Sequence, residues 1–345
     1  MSNKDTENNF DLIRLFAASE VAFKHVLLEH LPARDEQLWV LSVFPGVPIF
    51  FLISGFLIFK SFYHSGSIRK FAINRVLRVY PALIVCFVVS VGLVLLSGYM
   101  KIGMLATSEF WIWAAAQLSF VQIYNAPFLR GFGVGSLNGS LWTIGVELQF
   151  YVLTPILFYL TQDRKWMWPL LFFVFAGANL LMRYWGETEF LPRLYSLNSP
   201  PWFFMFILGA WIFTRPDWLE RIKQLNLGLL VAGYLAMTAA GWWLGFRVTG
   251  NWINPVSYTV LAIIVIKLAY TKPWLSGRLL KQNDISYGIY IYHMPISNLL
   301  LFYGLLGSVW YALLAMALAV CFAAASWWLA ERPVLAMKPT TLRRY

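Results

Sequence analysis

The chain is predicted to fold as an all-α integral membrane protein of about ten transmembrane helices, with a re-entrant segment near residues 110–124 and both termini cytoplasmic. Three observations carry that prediction. Only 12% of the 345 residues are charged while 59% are hydrophobic, and a soluble domain carries about twice that charge. Apolar segments recur from Phe10 to Ala330 and leave no room for a large soluble domain, so residues 1–345 read as one transmembrane domain with no soluble domain appended. The basic residues, finally, fall in alternate loops, which is the bias that sets membrane orientation.

The expected spans are stretches long enough for a hydrocarbon core: 10–30, 42–62, 79–98, 139–160, 166–185, 201–214, 226–246, 254–271, 285–304 and 308–330. The sixth is short. Arg69, Lys70, Arg75 and Arg78 lie between the second and third spans, Arg164 and Lys165 after the fourth, and Arg215, Arg221 and Lys223 after the sixth. Lys272, Arg278 and Lys281 follow the eighth, and Arg332, Lys338, Arg343 and Arg344 follow the last. These loops are expected in the cytoplasm. The alternate loops are short, neutral or acidic, as in Gly186-Glu-Thr-Glu-Phe190.

The stretch from Phe110 to Tyr124 is apolar but only fifteen residues long. A crossing there would invert the charge bias of every later loop, so it is expected to enter and leave by the outer face. Irregular backbone at membrane depth is tolerated where it lines a cavity or is buried in protein. The glycine-rich stretch from Arg130 to Gly139 reads as an outer loop whose turns need positive φ. No strand precedes it and no Lys-Ser/Thr follows it, which excludes a phosphate loop.

The net charge of +11 belongs to the topology and not to a nucleic-acid partner. The polar start of the chain has the wrong flanks for a cleavable signal peptide. Cys86 and Cys321 lie in apolar runs and read as small buried hydrophobes, with no disulfide or metal framework.

The first span carries Asp11, Arg14, Glu20, Lys24 and His25. Ionisable groups at membrane depth are costly and point to function. Arg14 and His25 are eleven residues apart, so they share one face, separated by about 16 Å along the axis. Glu20 and Lys24 stand i, i+4 in the favourable order, off that face, and read as a self-neutralising pair. The orientation puts Arg14, Arg75 and Arg78 on the inner side, and His25 and Glu147 at similar depth near the outer leaflet. Each has a plainer alternative: pairing with Asp11 and snorkelling for Arg14, topology signals for Arg75 and Arg78, an interhelical hydrogen bond for His25, and packing with neighbouring tyrosines for His293. Glu147 is the hardest to reduce, because a lone buried carboxylate needs a cation, a proton or a substrate.

These residues belong to a larger pattern. Leu12-Ile-Arg14-Leu-Phe-Ala is followed by His25, then by Phe50-Phe-Leu-Ile-Ser54-Gly-Phe-Leu-Ile58 and Asn74-Arg75-Val-Leu-Arg78-Val-Tyr-Pro81. Next come Asn138-Gly-Ser-Leu-Trp142-Thr-Ile-Gly-Val-Glu147-Leu-Gln-Phe-Tyr151 and Ser286-Tyr-Gly-Ile-Tyr290-Ile-Tyr-His293. Across nearly its whole length the chain resembles acyltransferase family 3, the integral membrane acyltransferases that include bacterial O-antigen and other surface-glycan O-acetyltransferases.

The resemblance implies an O-acyltransferase with His25 as catalytic base and with Trp142 and Glu147 in its outer motif; Glu147 is a second catalytic candidate, and whether it contacts His25 stays open. It makes Arg14, Arg75 and Arg78 contacts of a cytoplasmic acyl-CoA, most simply acetyl-CoA as donor substrate. It places Asn138, Trp142 and Tyr151 on the acceptor side, with Ser54, Tyr290 and His293 in support. No bound cofactor or metal is implied; the acceptor is a surface or lipid-linked polysaccharide, and the location is the bacterial cytoplasmic (inner) membrane, crossed many times. Two departures stand out. The family's Trp-Ser-Leu-x-Val-Glu-Glu reads Trp142-Thr-Ile-Gly-Val-Glu147-Leu here, so the second carboxylate is absent. No esterase-like domain is appended either. The residues leave open a transporter or flippase of a lipid-linked glycan, and transfer of succinyl or to a small-molecule acceptor.

Overall fold

A computed structural model describes residues 7–31, 39–185, 190–245, 249–281 and 283–337. The acidic loop at 186–189 and Lys338, Arg343 and Arg344, used above for orientation, lie outside the described residues. The helices in order are α1 Phe10–His30, α2 Gly46–Ser65, α3 Ile68–Leu96, α4 Ser108–Gln117, α5 Trp142–Thr161, α6 Met167–Trp185, α7 Phe190–Ser196, α8 Phe203–Phe213, α9 Pro216–Gln224, α10 Leu227–Trp243, α11 Pro255–Ala269, α12 Leu275–Leu280, α13 Ser286–Phe302, α14 Val309–Ser326 and α15 Arg332–Ala336. A π-helical turn, Trp327–Glu331, joins the last two. Among the described residues there is no strand.

Trp39–Ser65, Ile68–Leu96, Gly139–Thr161 and Val309–Ala336 are long and apolar enough to cross a membrane, and the pair α9 and α10, bent by 90°, adds a fifth if it forms one span. Every stretch expected to span lies on a helix, yet length and composition alone mark only four or five. The reasons are specific. Asp11, Arg14, Glu20 and Lys24 all sit on α1, α8 has 11 residues, and α13 has 17. The segment expected to be re-entrant contains α4, whose 10 residues reach about 15 Å, roughly half of a hydrocarbon core. Beyond α4 the chain reverses, held by Gln117 Nε2 donating to Tyr124 O at 3.1 Å and Gln122 Nε2 donating to Gln117 O at 3.0 Å.

The chain divides into two compact units. The first comprises Met1–Ala17, Val40–Ile68 and Gln149–Asn283. Its centre is the α2–α8 pair. A methyl group added at Gly55 would overlap the Phe206 carbonyl, and one added at Gly209 would overlap that of Leu52, so two glycines let the backbones touch. Small residues at such crossings are the usual device where lipid supplies no hydrophobic drive between helices. Gly209→Ala is expected to force α2 and α8 apart and to cost about 1–3 kcal/mol or more. Gly177→Ala, with nothing within 4 Å of the added methyl, is the neutral control. Thermal unfolding of the two purified variants in detergent checks this, and equal midpoints would refute it. Asn9 ties the start of α1 to this unit, donating to Thr271 O at 2.7 Å and accepting from Ser276 N at 2.9 Å.

The second unit comprises Ala18–Trp39, Arg69–Leu148 and Asp284–Tyr345. Here α13 is the hub. It packs on α14 where Gly288 lies against Ala323. Its Ile291 carbonyl accepts from Cys86 on α3 at 3.3 Å and from Asn138 at 2.8 Å. Asn298 pins the glycine-rich loop, accepting from Val134 N at 2.7 Å and donating to Ser136 O at 2.9 Å and Leu137 O at 3.1 Å. That loop turns through Gly133 at φ 58° and Gly135 at φ 81°, as its composition requires. Cys86 is buried as expected, but Cys321 is exposed, because only 28% of the α14 span is covered and Cys321 lies on its open face.

Candidate active site

The polar groups of the second unit gather between α1 and α13 in two layers. In the first, His25 Nδ1 lies 3.1 Å from His293 Nε2, with ring centroids 5.3 Å apart. His293 Nδ1 in turn lies 2.7 Å from the Tyr290 carbonyl oxygen. A carbonyl only accepts, so His293 carries its proton on Nδ1 and, being neutral, presents Nε2 as an acceptor. His25 must then donate from Nδ1, which leaves its Nε2 lone pair unprotonated. The network thus sets the tautomer of His25 through a second histidine and a backbone carbonyl. His293 is completely buried and held in place.

The hydrogen-bond partner of His25 Nδ1 is His293, 268 residues away. Glu147 and Glu20 lie within electrostatic range of Tyr290. The Tyr290 hydroxyl bonds Thr143 Oγ1 at 2.6 Å, and Ser140 Oγ donates to Asn138 Oδ1 at 2.7 Å. Asn138 borders a pocket of about 10 Å³, room for about one water.

The second layer lies one helical turn on, about 6 Å further along both helices. Ser297 Oγ contacts Glu29 Oε2 and lies 3.1 Å from His30 Nε2, while His30 Nδ1 lies 2.6 Å from the Leu305 carbonyl. His30 and Ser297 are both completely buried. His30 must carry a proton on Nδ1, and the single hydroxyl proton of Ser297 faces two acceptors. One further proton therefore resides on Glu29 or on His30 Nε2, and the cluster is neutral in either form. Sequence reading missed all three residues. The signal available was spacing: His25 to Glu29 and His293 to Ser297 are each four residues, one turn, on facing helices.

At the start of α13, Arg78 pairs with Asp284, whose other oxygen accepts from Ser286 N at 3.1 Å. Asp284 was not anticipated either. Arg75, one turn before Arg78, stacks its guanidinium 5.6 Å from the Phe71 ring centroid. Trp142 opens α5 half-buried. Arg14, Ser54 and Tyr151 belong to the first unit, half-buried on α1, α2 and α5. That unit also holds a cavity of about 1040 Å³, lined by Tyr63, Trp168, Trp211, Lys165, Arg215 and Asp217 among others and by none of the predicted site residues. At its rim Arg215 donates to both oxygens of Asp217, at 3.0 and 2.9 Å, which holds that carboxyl below the usual carboxylate range. Among the described residues no cluster of His, Cys, Asp and Glu has the make-up of a metal site.

Residues 7–329 match the family model described as acyltransferase domain. The chain is 32% identical to nodulation protein 10 of Rhizobium leguminosarum bv. viciae, an alignment covering 98% of this chain and 95% of that one. It is 26% identical to the O-acetyl transferase of Shigella phage Sf6, over 85% of this chain and 86% of the relative. It is 25% identical to the peptidoglycan O-acetyltransferase OatA of Listeria monocytogenes, over 76% of this chain and 46% of the relative. No solved structure matches.

Proposed function

Because the chain belongs to the acyltransferase family whose domain it matches over residues 7–329, we propose that it transfers an acetyl group from cytoplasmic acetyl-CoA to a hydroxyl of an extracytoplasmic or lipid-linked glycan, with His25 as general base. The observation that carries this reading is the 3.1 Å contact of His25 Nδ1 with His293 Nε2, which in a neutral pair leaves His25 Nε2 as the proton acceptor. The nucleophilic oxygen of a glycan needs its proton removed as it attacks, and an imidazole of fixed tautomer suits that role.

In this scheme the acceptor O–H proton passes to His25 Nε2 and its oxygen bonds the thioester carbonyl carbon. The C–S bond then breaks and the thiolate takes the proton back from the imidazolium. The products are an ester and free thiol, and His25 is unchanged. The bond to His293 stabilises the imidazolium and holds the ring in register, as the orienting third group does in other acyl-transfer sites. Arg75 and Arg78 take the donor's phosphates, for which guanidinium forks are suited. Asn138 and Trp142 serve the acceptor side. The cytoplasmic membrane of a bacterium, with both termini inside, is the setting that the loop charges favour. The relatives' names support the acceptor class: one acts on peptidoglycan and another is an O-acetyl transferase.

The test is thiol release by the purified protein in lipid vesicles supplied with acetyl-CoA and a surface oligosaccharide. Thiol should appear together with ester-linked acetyl signals in the NMR spectrum of the acceptor. Absence of thiol release with acetyl-CoA and with succinyl-CoA, under conditions where the protein is monodisperse, would sink the acyltransferase reading in favour of a glycan carrier.

A further inference from the structure

Asn74 is completely buried on α3, and neither its Nδ2 nor its Oδ1 has a hydrogen-bond partner. It is exceptional. The described chain buries Asn9, Asn138, Asn179 and Asn298 as well, and each of those makes at least one side-chain hydrogen bond. A buried carboxamide left wholly unsatisfied bears its full desolvation cost with no return, so such a group calls for a reason beyond the fold. Its place on the helix supplies one. Asn74 adjoins Arg75 and lies one turn before Arg78, on the Arg78 face. Both arginines are partly exposed, Arg75 against the Phe71 ring and Arg78 paired with Asp284, so charged groups border the amide along the helix.

We propose that Asn74 reads the adenine ring of the acyl-CoA donor, its carboxamide pairing side by side with the ring's exocyclic N–H and adjacent ring nitrogen while Arg75 and Arg78 hold the neighbouring phosphates. This rests on the acyl-CoA reading given above. An asparagine offers a donor and an acceptor next to each other, and the adenine edge offers the complementary pair, which is the basis of bidentate asparagine–adenine recognition. The amides of the pantetheine arm do not fit as well, because in a trans amide the N–H and C=O point in opposite directions. Position agrees: Asn74 lies beyond Arg75 toward the loop end of α3, on the side where a nucleotide stays and away from the deeper residues that the arm would pass.

The test compares full-length wild type with Asn74→Leu, a variant of similar volume without polar atoms, using acetyl-CoA and S-acetylpantetheine, which lacks the nucleotide. The variant is expected to raise KM for acetyl-CoA about tenfold or more, the usual worth of a bidentate base contact, and to leave KM for S-acetylpantetheine as in wild type. Its melting temperature should be equal to or above that of wild type, because an unsatisfied polar group has been removed. An unchanged KM for acetyl-CoA overturns the proposal. So does a KM that rises equally for both donors, which places the contact on the arm or in the fold. If the variant does not fold, wild type decides by itself: the acetyl-CoA analogue with unsubstituted purine in place of adenine, which lacks the exocyclic N–H, should show a several-fold rise in KM, and equal KM values overturn the proposal. Wild type that turns over acetyl-CoA but fails these arms leaves the acyltransferase reading standing; wild type that turns over neither donor removes both.

Discussion

His25→Ala is expected to slow acetyl transfer by about 10²- to 10⁴-fold, the usual worth of a positioned general base, while KM for acetyl-CoA changes little. The Nε2 lone pair is the one proton acceptor that the His25–His293 layer presents, and alanine removes it without disturbing the Tyr290 carbonyl that holds His293. The measurement is single-turnover thiol release from acetyl-CoA, on protein shown to be monodisperse. A variant within a few-fold of the wild-type rate would show that the base lies elsewhere, and the Glu29–Ser297–His30 layer would be the next place to look.

The second large effect is expected at His293. Replacement by leucine leaves the imidazole of His25 with no acceptor for its Nδ1 proton, so the ring is free to take the other tautomer and to turn. The loss should be on the order of 10² to 10³ in kcat, consistent with what other orienting groups contribute to acyl transfer. His293→Gln is the informative companion. Its side-chain oxygen can accept from His25 Nδ1 at similar reach, so it should recover a substantial part of the lost rate. If leucine and glutamine variants are equally slow, or if both simply melt earlier with no change in kcat, His293 serves packing and not the orientation of the base.

Much of this architecture was legible from composition and pattern. The helical class follows from long apolar runs, and the first expected span, 10–30, coincides with α1, Phe10–His30. Such agreement has a simple cause. A helix satisfies its backbone within itself, so its limits depend on residues within a few positions of each end, as where Asn254 accepts from Ser257 N at 2.9 Å beside Pro255. The short length of α4 and the positive φ at Gly133 and Gly135 were equally local.

The partners of the candidate catalytic groups were not legible in this way. The sequence put His25 and Glu147 at similar depth and left open whether they meet, because depth says nothing about the direction in which a helix face points. The fold brings His293 to His25 across 268 residues of sequence and Asp284 to Arg78 across 206. It also makes Ser297, unremarkable in an apolar run, the bridge between Glu29 and His30. What the sequence determined by itself was the family and the helical class, because motifs and hydrophobic runs are local. Which residues touch was decided by the rotation and register of α1 against α13, and that is set by side-chain packing between helices far apart in the chain.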